Sequence, residues 1–101
     1  MISNKDPVIK ARLSLQRALL GEVSSNLRAV VFSITGLIIT VRFYFDGPVS
    51  QEDEESASYV ETEVLADYEP EYTVTAQCIR SDFPSSINDD GLWVYLRREN
   101  S

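Results

Sequence analysis

The chain has 101 residues, a formal net charge of -7 and 44% hydrophobic residues, which fits one small folded domain and argues against wholesale disorder. It contains no histidine and one cysteine, so it lacks the groups for a Ser-His-Asp triad, a Cys-His dyad, a disulfide or a thiolate zinc cage. The acidic balance, 16 Asp and Glu against 9 Lys and Arg, argues against direct binding to nucleic acid or anionic membranes. An acidic protein is instead steered toward basic partners.

The chain shows no targeting or membrane-spanning pattern. Charged side chains interrupt the apolar positions of the N-terminal segment, so we expect no secretory signal there. The longest uncharged run, between Arg28 and Arg42, is shorter than the roughly 20 residues that a membrane helix needs. A lone cysteine fits a reducing compartment. We therefore expect a cytoplasmic protein in which residues 1–101 form a single domain with flexible ends at 1–6 and 98–101.

Two segments carry the signals that begin a helix. Asp6, followed by a proline, offers a helix N-cap, and apolar residues then recur at helical spacing, which predicts a helix over 7–20. Ser50 with Asp53 three residues later is close to a capping box, and it predicts a second helix over 51–66.

Four segments are rich in the β-branched and aromatic residues typical of strands. A tight turn at Thr35-Gly36 joins the first two, and it pairs Ile34 with Leu37. This register gives the hairpin one wholly apolar face, whereas a slip by one residue would bring polar groups onto that face. The predicted strands span 27–34, 37–45, 72–80 and 92–97, and a long loop over 81–91 precedes the last of them.

The order α-β-β-α-β-β predicts an α+β fold, in which a four-stranded antiparallel sheet carries two helices on one face and leaves the other face partly wet. The sequence leaves the order of strands across the sheet open. The predicted core is formed by Val30, Phe32, Ile34, Leu37, Ile39, Val41 and Phe43 of the hairpin, with Leu15, Leu19, Val60 and Val64 of the helices.

The segment between Arg42 and Arg80 contains ten acidic residues and neither Lys nor Arg. A solvated helix face, with acids favoured in its first turn by the helix dipole, accounts for any one of them. The whole segment predicts an electrostatic docking surface for a basic partner, because like charges four residues apart destabilise a helix. Tyrosines, which are common at interfaces, flank the acids. The predicted partner-binding residues are Glu52, Asp53, Glu54, Glu55, Tyr59, Asp67, Tyr68 and Glu69.

The exposure of two of these tyrosines is a separate question. Tyr68 lies in an acidic turn that contains a proline, so we expect it to be exposed. Tyr59 either packs beneath the edge of its helix or faces the solvent.

Catalytic and metal-binding roles are disfavoured for the same acids. A two-carboxylate hydrolase needs one carboxyl with a raised pKa, and an exposed helix offers nothing to raise it. The acids lack EF-hand spacing, and SQEDEE provides no loop that could wrap a cation. Cys78 alternates with Val74 and Ala76 along a strand and is expected to be a small core residue. We therefore predict no catalytic residue, no metal site and no cofactor.

The second face of the sheet gives an alternative. Arg42 and Tyr44 share this face with Trp93, and ordinary cross-strand packing accounts for them. A concave pocket lined by the three side chains would instead indicate a small enzyme or ligand-binding module. A housekeeping interaction module is a further alternative. The loop 81–91 contains Asp82, Phe83, Asp89 and Asp90, and long loops are often functional.

Four strings carry a family resemblance: FYFDGPVSQEDEE, VETEVLAD, CIRSDFP and GLWVYLRRE. Over Leu19 to Glu99 the chain resembles small bacterial immunity proteins of contact-dependent growth inhibition systems. The resemblance implies a cytosolic antidote that binds the C-terminal toxin domain of a delivered effector and blocks it. In such systems the toxin is commonly a nuclease, often an RNase that acts on tRNA, whose basic active site or substrate path an acidic protein can cover. Charge clustering, and not the resemblance, supplies the partner-binding residues named above.

Overall fold

A computed structural model describes residues 6–99, in which two helices lie on one face of a four-stranded sheet. Neither helix within this range is long and apolar enough to cross a membrane. The elements in chain order are α1 (Pro7–Ala18), β1 (Leu27–Thr35), β2 (Ile38–Phe45), α2 (Gln51–Leu65), β3 (Thr73–Arg80) and β4 (Leu92–Leu96).

Both predicted helix starts are confirmed. The Asp6 carboxylate accepts hydrogen bonds from the backbone of Val8 and Ile9 at 3.0 and 3.3 Å. At the start of α2, the side chains of Ser50 and Asp53 each accept a hydrogen bond from the other's backbone, which completes the capping box. These local contacts satisfy amides that have no partner within the helix, so they fix where each helix begins.

Hydrogen bonds hold Asp6 and Glu99, the first and last of the described residues. Of the segments predicted to be flexible, residues 1–5 and 100–101 lie outside the described residues. Asp6 caps α1, and the carboxylate of Glu99 accepts hydrogen bonds from Arg28 at 2.7 and 3.0 Å. The guanidinium of Arg28 is buried, so Glu99 gives a buried cation its partner.

The sheet is mixed, and the prediction of a wholly antiparallel sheet is wrong. The strands lie in the order β3-β2-β1-β4; β1 pairs antiparallel with β2 and β4, whereas β2 and β3 are parallel. The reason is α2, which carries the chain back along the sheet so that β3 begins at the same end as β2. The loop 81–91 then connects β3 at one edge with β4 at the other.

The hairpin register differs from the predicted one by two residues. Thr35 pairs with Ile38, so the two-residue turn is Gly36-Leu37, and Gly36 has φ 60° in its first central position, as a type II′ turn requires. A shift of two residues keeps the same side chains on the core face. Leu37, predicted in the core, lies in the turn and is 48% exposed.

The core lies between the helices and one face of the sheet. Leu15 of α1 and Val60 of α2 are fully buried, and they belong to one cluster with Phe32 of β1 and Ile39 of β2. Cys78 of β3 is packed against this cluster, and burial raises the pKa of its thiol, as expected for a structural cysteine.

Candidate partner-binding surface

The two helices lie side by side and run antiparallel. Ser14 of α1 donates a hydrogen bond of 2.6 Å to Asp67, just after α2. Ser24, in the loop that follows α1, donates one of 3.3 Å to Asp53 at the start of α2. The acidic start of α2 therefore lies beside the end of α1.

Contacts on the two flanks of α2 fix which side chains face outward. Glu61 faces β3, because its carboxylate accepts a hydrogen bond of 2.6 Å from the backbone N–H of Ala76. With roughly 3.6 residues per turn, Glu52 and Tyr59 lie on the opposite flank, toward α1. Glu52 lines an open cleft of about 300 Å3 with Glu22 and neighbouring residues of the loop after α1.

Four of the predicted acids and one tyrosine lie at the surface. Glu52, Glu54 and Glu55 are exposed, and within residues 6–99 none of them forms a salt bridge. Glu69 is exposed and lies 3.9 Å from the ammonium of Lys10. Tyr59 faces the solvent with 48% of its surface exposed, which settles the open question about it. The described acids form no group of three or more that could hold a metal ion.

Asp53 is turned inward. It is 6% exposed, and its carboxylate accepts hydrogen bonds from the side chain of Asn26 at 2.9 Å and the backbone of Ser50 at 3.1 Å. Burial by itself would raise the pKa of Asp53, but these hydrogen bonds outweigh it and the pKa lies below its ordinary value. Asp53 ties the loop after α1 to α2 and does not belong to the outward-facing surface of the helices.

Replacing Asp53 with alanine should lower the free energy of unfolding by about 1–2 kcal/mol, because α2 loses its capping box and Asn26 loses its acceptor. Urea unfolding followed by circular dichroism measures the change. The exposed neighbour Glu54, replaced by alanine, is the control and should leave the midpoint nearly unchanged. Equal losses for both variants would contradict the structural role of Asp53.

The turn after α2 is fastened to α1. The prediction that Tyr68 is exposed is wrong: it is 9% exposed, its hydroxyl donates to the backbone oxygen of Pro7 at 2.9 Å, and the ammonium of Lys10 lies 4.7 Å from its ring centre. Burial raises the pKa of Tyr68 to about 12. Asp67 accepts hydrogen bonds from Ser14 and Arg17. A turn that contains acids and a proline is predicted to be exposed from its sequence alone. The contacts with α1 that cover this turn form only in the folded chain.

The opposite face of the sheet is covered by the loop 81–91. The carboxylate of Asp89 accepts hydrogen bonds from Arg42 at 2.6 and 2.9 Å, from the hydroxyl of Tyr44 at 2.6 Å and from the backbone of Gly91 at 2.9 Å. The Trp93 indole donates to the backbone oxygen of Asp89 at 3.1 Å. The three side chains considered for a ligand pocket are therefore engaged by Asp89.

The ion pair of Asp89 and Arg42 is electrostatically strong. The side chain of Asp89 is 5% exposed and that of Arg42 is 17% exposed. The bidentate hydrogen bond from Arg42 holds the pKa of Asp89 well below its usual range, and the same contact raises the pKa of Arg42. Asp89 thus stays ionised throughout the physiological range and anchors the loop to the sheet.

A set of exposed apolar side chains on α1 was missed by the sequence analysis. Leu13 is 58% exposed, and Leu20, just after α1, is 76% exposed. The signal was present, because Ile9, Leu13 and Leu20 follow one another at helical spacing on the side opposite Leu15. A helix with apolar residues on two opposed sides has one side that the core does not cover.

Comparison with known families decides which kind of protein carries this surface. The sequence matches the family model described as MafI2 immunity protein over residues 8–99, which includes both helices and all four strands. The chain belongs to the MafI2 immunity protein family. No curated protein matches the chain. Membership confirms the resemblance to immunity proteins of toxin–immunity systems, and it indicates a protein that neutralises a toxin.

Proposed function

We propose that this MafI2-family immunity protein acts in the cytoplasm by binding its cognate toxin directly, that the toxin is a basic nuclease, and that the bound protein covers the nuclease active site or the path of its substrate. The observation that carries the proposal is the segregation of charge in the helix layer. α2 contains six acidic residues and no lysine or arginine, whereas α1 contains three basic residues and no acid.

Only some of these charged side chains form ion pairs within the described residues. Lys10 and Arg17 of α1 are paired with Glu69 and Asp67 in the turn after α2. The acids at the start of α2, except Asp53, have no such partner within residues 6–99 and face outward. Unpaired carboxylates at the surface attract a basic protein over distances comparable with the Debye length.

A nuclease is a suitable partner because its site must hold phosphate and is therefore rich in lysine and arginine. An acidic surface docked on or beside such a site excludes the substrate by occupying its space and cancelling its attraction. Neither the binding nor the exclusion requires a cofactor or a catalytic group on this chain.

The direct experiment titrates the cognate toxin domain with the purified protein, and measures hydrolysis of RNA and DNA substrates. We expect the toxin alone to degrade one of the substrates, and the activity to disappear at about one equivalent. A toxin that degrades neither substrate would overturn the nuclease assignment. A nuclease that keeps its activity in excess protein, with no complex in calorimetry at physiological salt, would overturn neutralisation by binding.

A further inference from the structure

The outer side of α1 is an apolar surface that nothing within the described chain covers. Leu13, in the middle of the helix, projects away from Ala11 and Leu15, which are fully buried against the sheet. Its exposure is 58%, that of Leu20 is 76% and that of Ile9 is 38%. Single exposed leucines are ordinary, but Ile9 and Leu13 lie one turn apart on α1, and Leu20 follows on the same side just after the helix, with exposed Gln16 between Leu13 and Leu20. Large apolar side chains grouped in this way are found at protein interfaces.

This patch and the acidic residues of α2 face the same way. Both helices lie on one face of the sheet, so the sides that point away from the sheet form a common outer surface. Tyr59 lies on the flank of α2 that faces α1 and is 48% exposed, so it adds an aromatic side chain to the same outer surface. Glu55 points away from buried Val64, and Glu52 lies beside the loop that follows Leu20. The outer surface thus carries exposed apolar side chains on and just after α1, with exposed carboxylates of α2 to one side.

Charge decides what covers this surface. A second copy docked about a two-fold axis near the start of α2 would bring these acids close to their own equivalents, and the repulsion would oppose pairing. Lys10 and Arg17 of α1 are already paired with Glu69 and Asp67 of their own chain, so they offer little attraction to the acids of a second copy. A basic protein with an apolar patch inside a border of lysine and arginine matches both parts of the surface.

We infer that the outer surface of the helix layer is where the toxin docks, with Leu13, Leu20 and Tyr59 as its apolar centre and Glu52 and Glu55 as its charged rim. This inference rests on the proposed function and adds the anchoring residues of α1. The rim speeds the encounter with a basic toxin, and the apolar centre holds the complex once water has left it.

The test is the double substitution Leu13→Ala and Leu20→Ala, compared with Leu96→Ala in binding kinetics with the toxin domain. Leu96 is a matched control, since it is 63% exposed and lines a cleft with Trp93 and Pro84 on the side of the sheet away from the helices. We expect the double variant to dissociate at least about 10-fold faster with little change in association rate, and Leu96→Ala to behave as wild type.

The outcomes separate the two proposals. Dissociation of the double variant at the wild-type rate would overturn this inference while leaving neutralisation by binding intact. Failure of the wild-type protein to bind the toxin would overturn the proposed function, and this inference with it. Sedimentation of the protein alone gives a second measurement. A wild-type dimer that the double substitution separates would show that a second copy covers α1, and would also overturn the inference.

Discussion

Replacing Asp89 with alanine should lower the free energy of unfolding by about 3–5 kcal/mol, because the largely covered guanidinium of Arg42 then loses its charged partner and keeps only the hydroxyl of Ser33. Arg42 is 17% exposed and would keep its charge, and the hydroxyl of Tyr44 and the backbone N–H of Gly91 would also lose their acceptor. The loop 81–91 would lose its anchor to the sheet, so we expect faster proteolysis within it. Urea unfolding, followed by the fluorescence of Trp93, measures the loss.

Asp90 provides the control, because it belongs to the same loop but is exposed, and its side chain forms no salt bridge or hydrogen bond within residues 6–99. Its replacement by alanine should leave the unfolding midpoint nearly unchanged. Since the pKa of Asp89 is lower in the folded state, its contribution is fully present above the ordinary carboxyl pKa and is lost as the pH falls. The difference between wild type and Asp89→Ala should therefore shrink below about pH 5. Equal destabilisation by the two substitutions would show that Asp89 does not anchor the loop.

The contacts that Asp89 forms with the sheet could not be predicted from the sequence. Alternation along β2 places Arg42 and Tyr44 on one face, and the composition of 81–91 identifies a loop. The sequence does not show that this loop crosses that face. The crossing follows from the position of β4 beside β1, and that position is set by packing among distant segments rather than by any local pattern.

Sequence patterns gave correct predictions where backbone N–H groups find hydrogen-bond acceptors only a few residues away. The caps formed by Asp6 and Ser50 involve neighbours in sequence, so both helix starts were predictable. The direction of β3 was not, because a helix between two strands also permits an antiparallel return. The hairpin register was wrong by two residues because both registers give the same apolar face, and only the turn at Gly36-Leu37 distinguishes them.

The sequence indicated the negative charge of the candidate surface. It did not indicate which of the predicted side chains are exposed and which are buried. The run of acids identified the start of α2, and the exposure of Glu52 and Glu55 fits that interpretation. Burial of Asp53 and Tyr68 depends on the loop after α1 and on the first turn of α1, which approach α2 only in the fold. Leu13 was overlooked because the apolar residues on the inward side of α1 were sufficient to predict a core.

Reversing the charge of Glu52 and Glu55 to lysine should slow association with the toxin about 10-fold or more at low salt. Both carboxylates are exposed and form no salt bridge within residues 6–99, so the substitution removes attraction and breaks only the exposed 3.4 Å hydrogen bond from Gln51 to Glu55. The difference from wild type should fade as ionic strength rises, because salt screens exposed charges. Stopped-flow mixing at several salt concentrations measures the association rate.

The control changes the net charge equally at another place. Glu71, before β3, and Asp90, in the loop 81–91, are exposed acids outside the helix layer, and their joint replacement by lysine adds the same charge. We expect this control to slow association much less. Equal slowing by the two variants would show that net charge alone steers the encounter and that the start of α2 has no special part in it.

Hydrogen–deuterium exchange of this protein, free and bound to the toxin domain, tests most directly whether the helix layer is the surface that neutralises the toxin. We expect binding to slow exchange at the end of α1, in the loop that follows it and in the first two turns of α2, with the loop 81–91 unchanged. Slowed exchange confined to β4 and the loop 81–91, with both helices unaffected, would contradict the account.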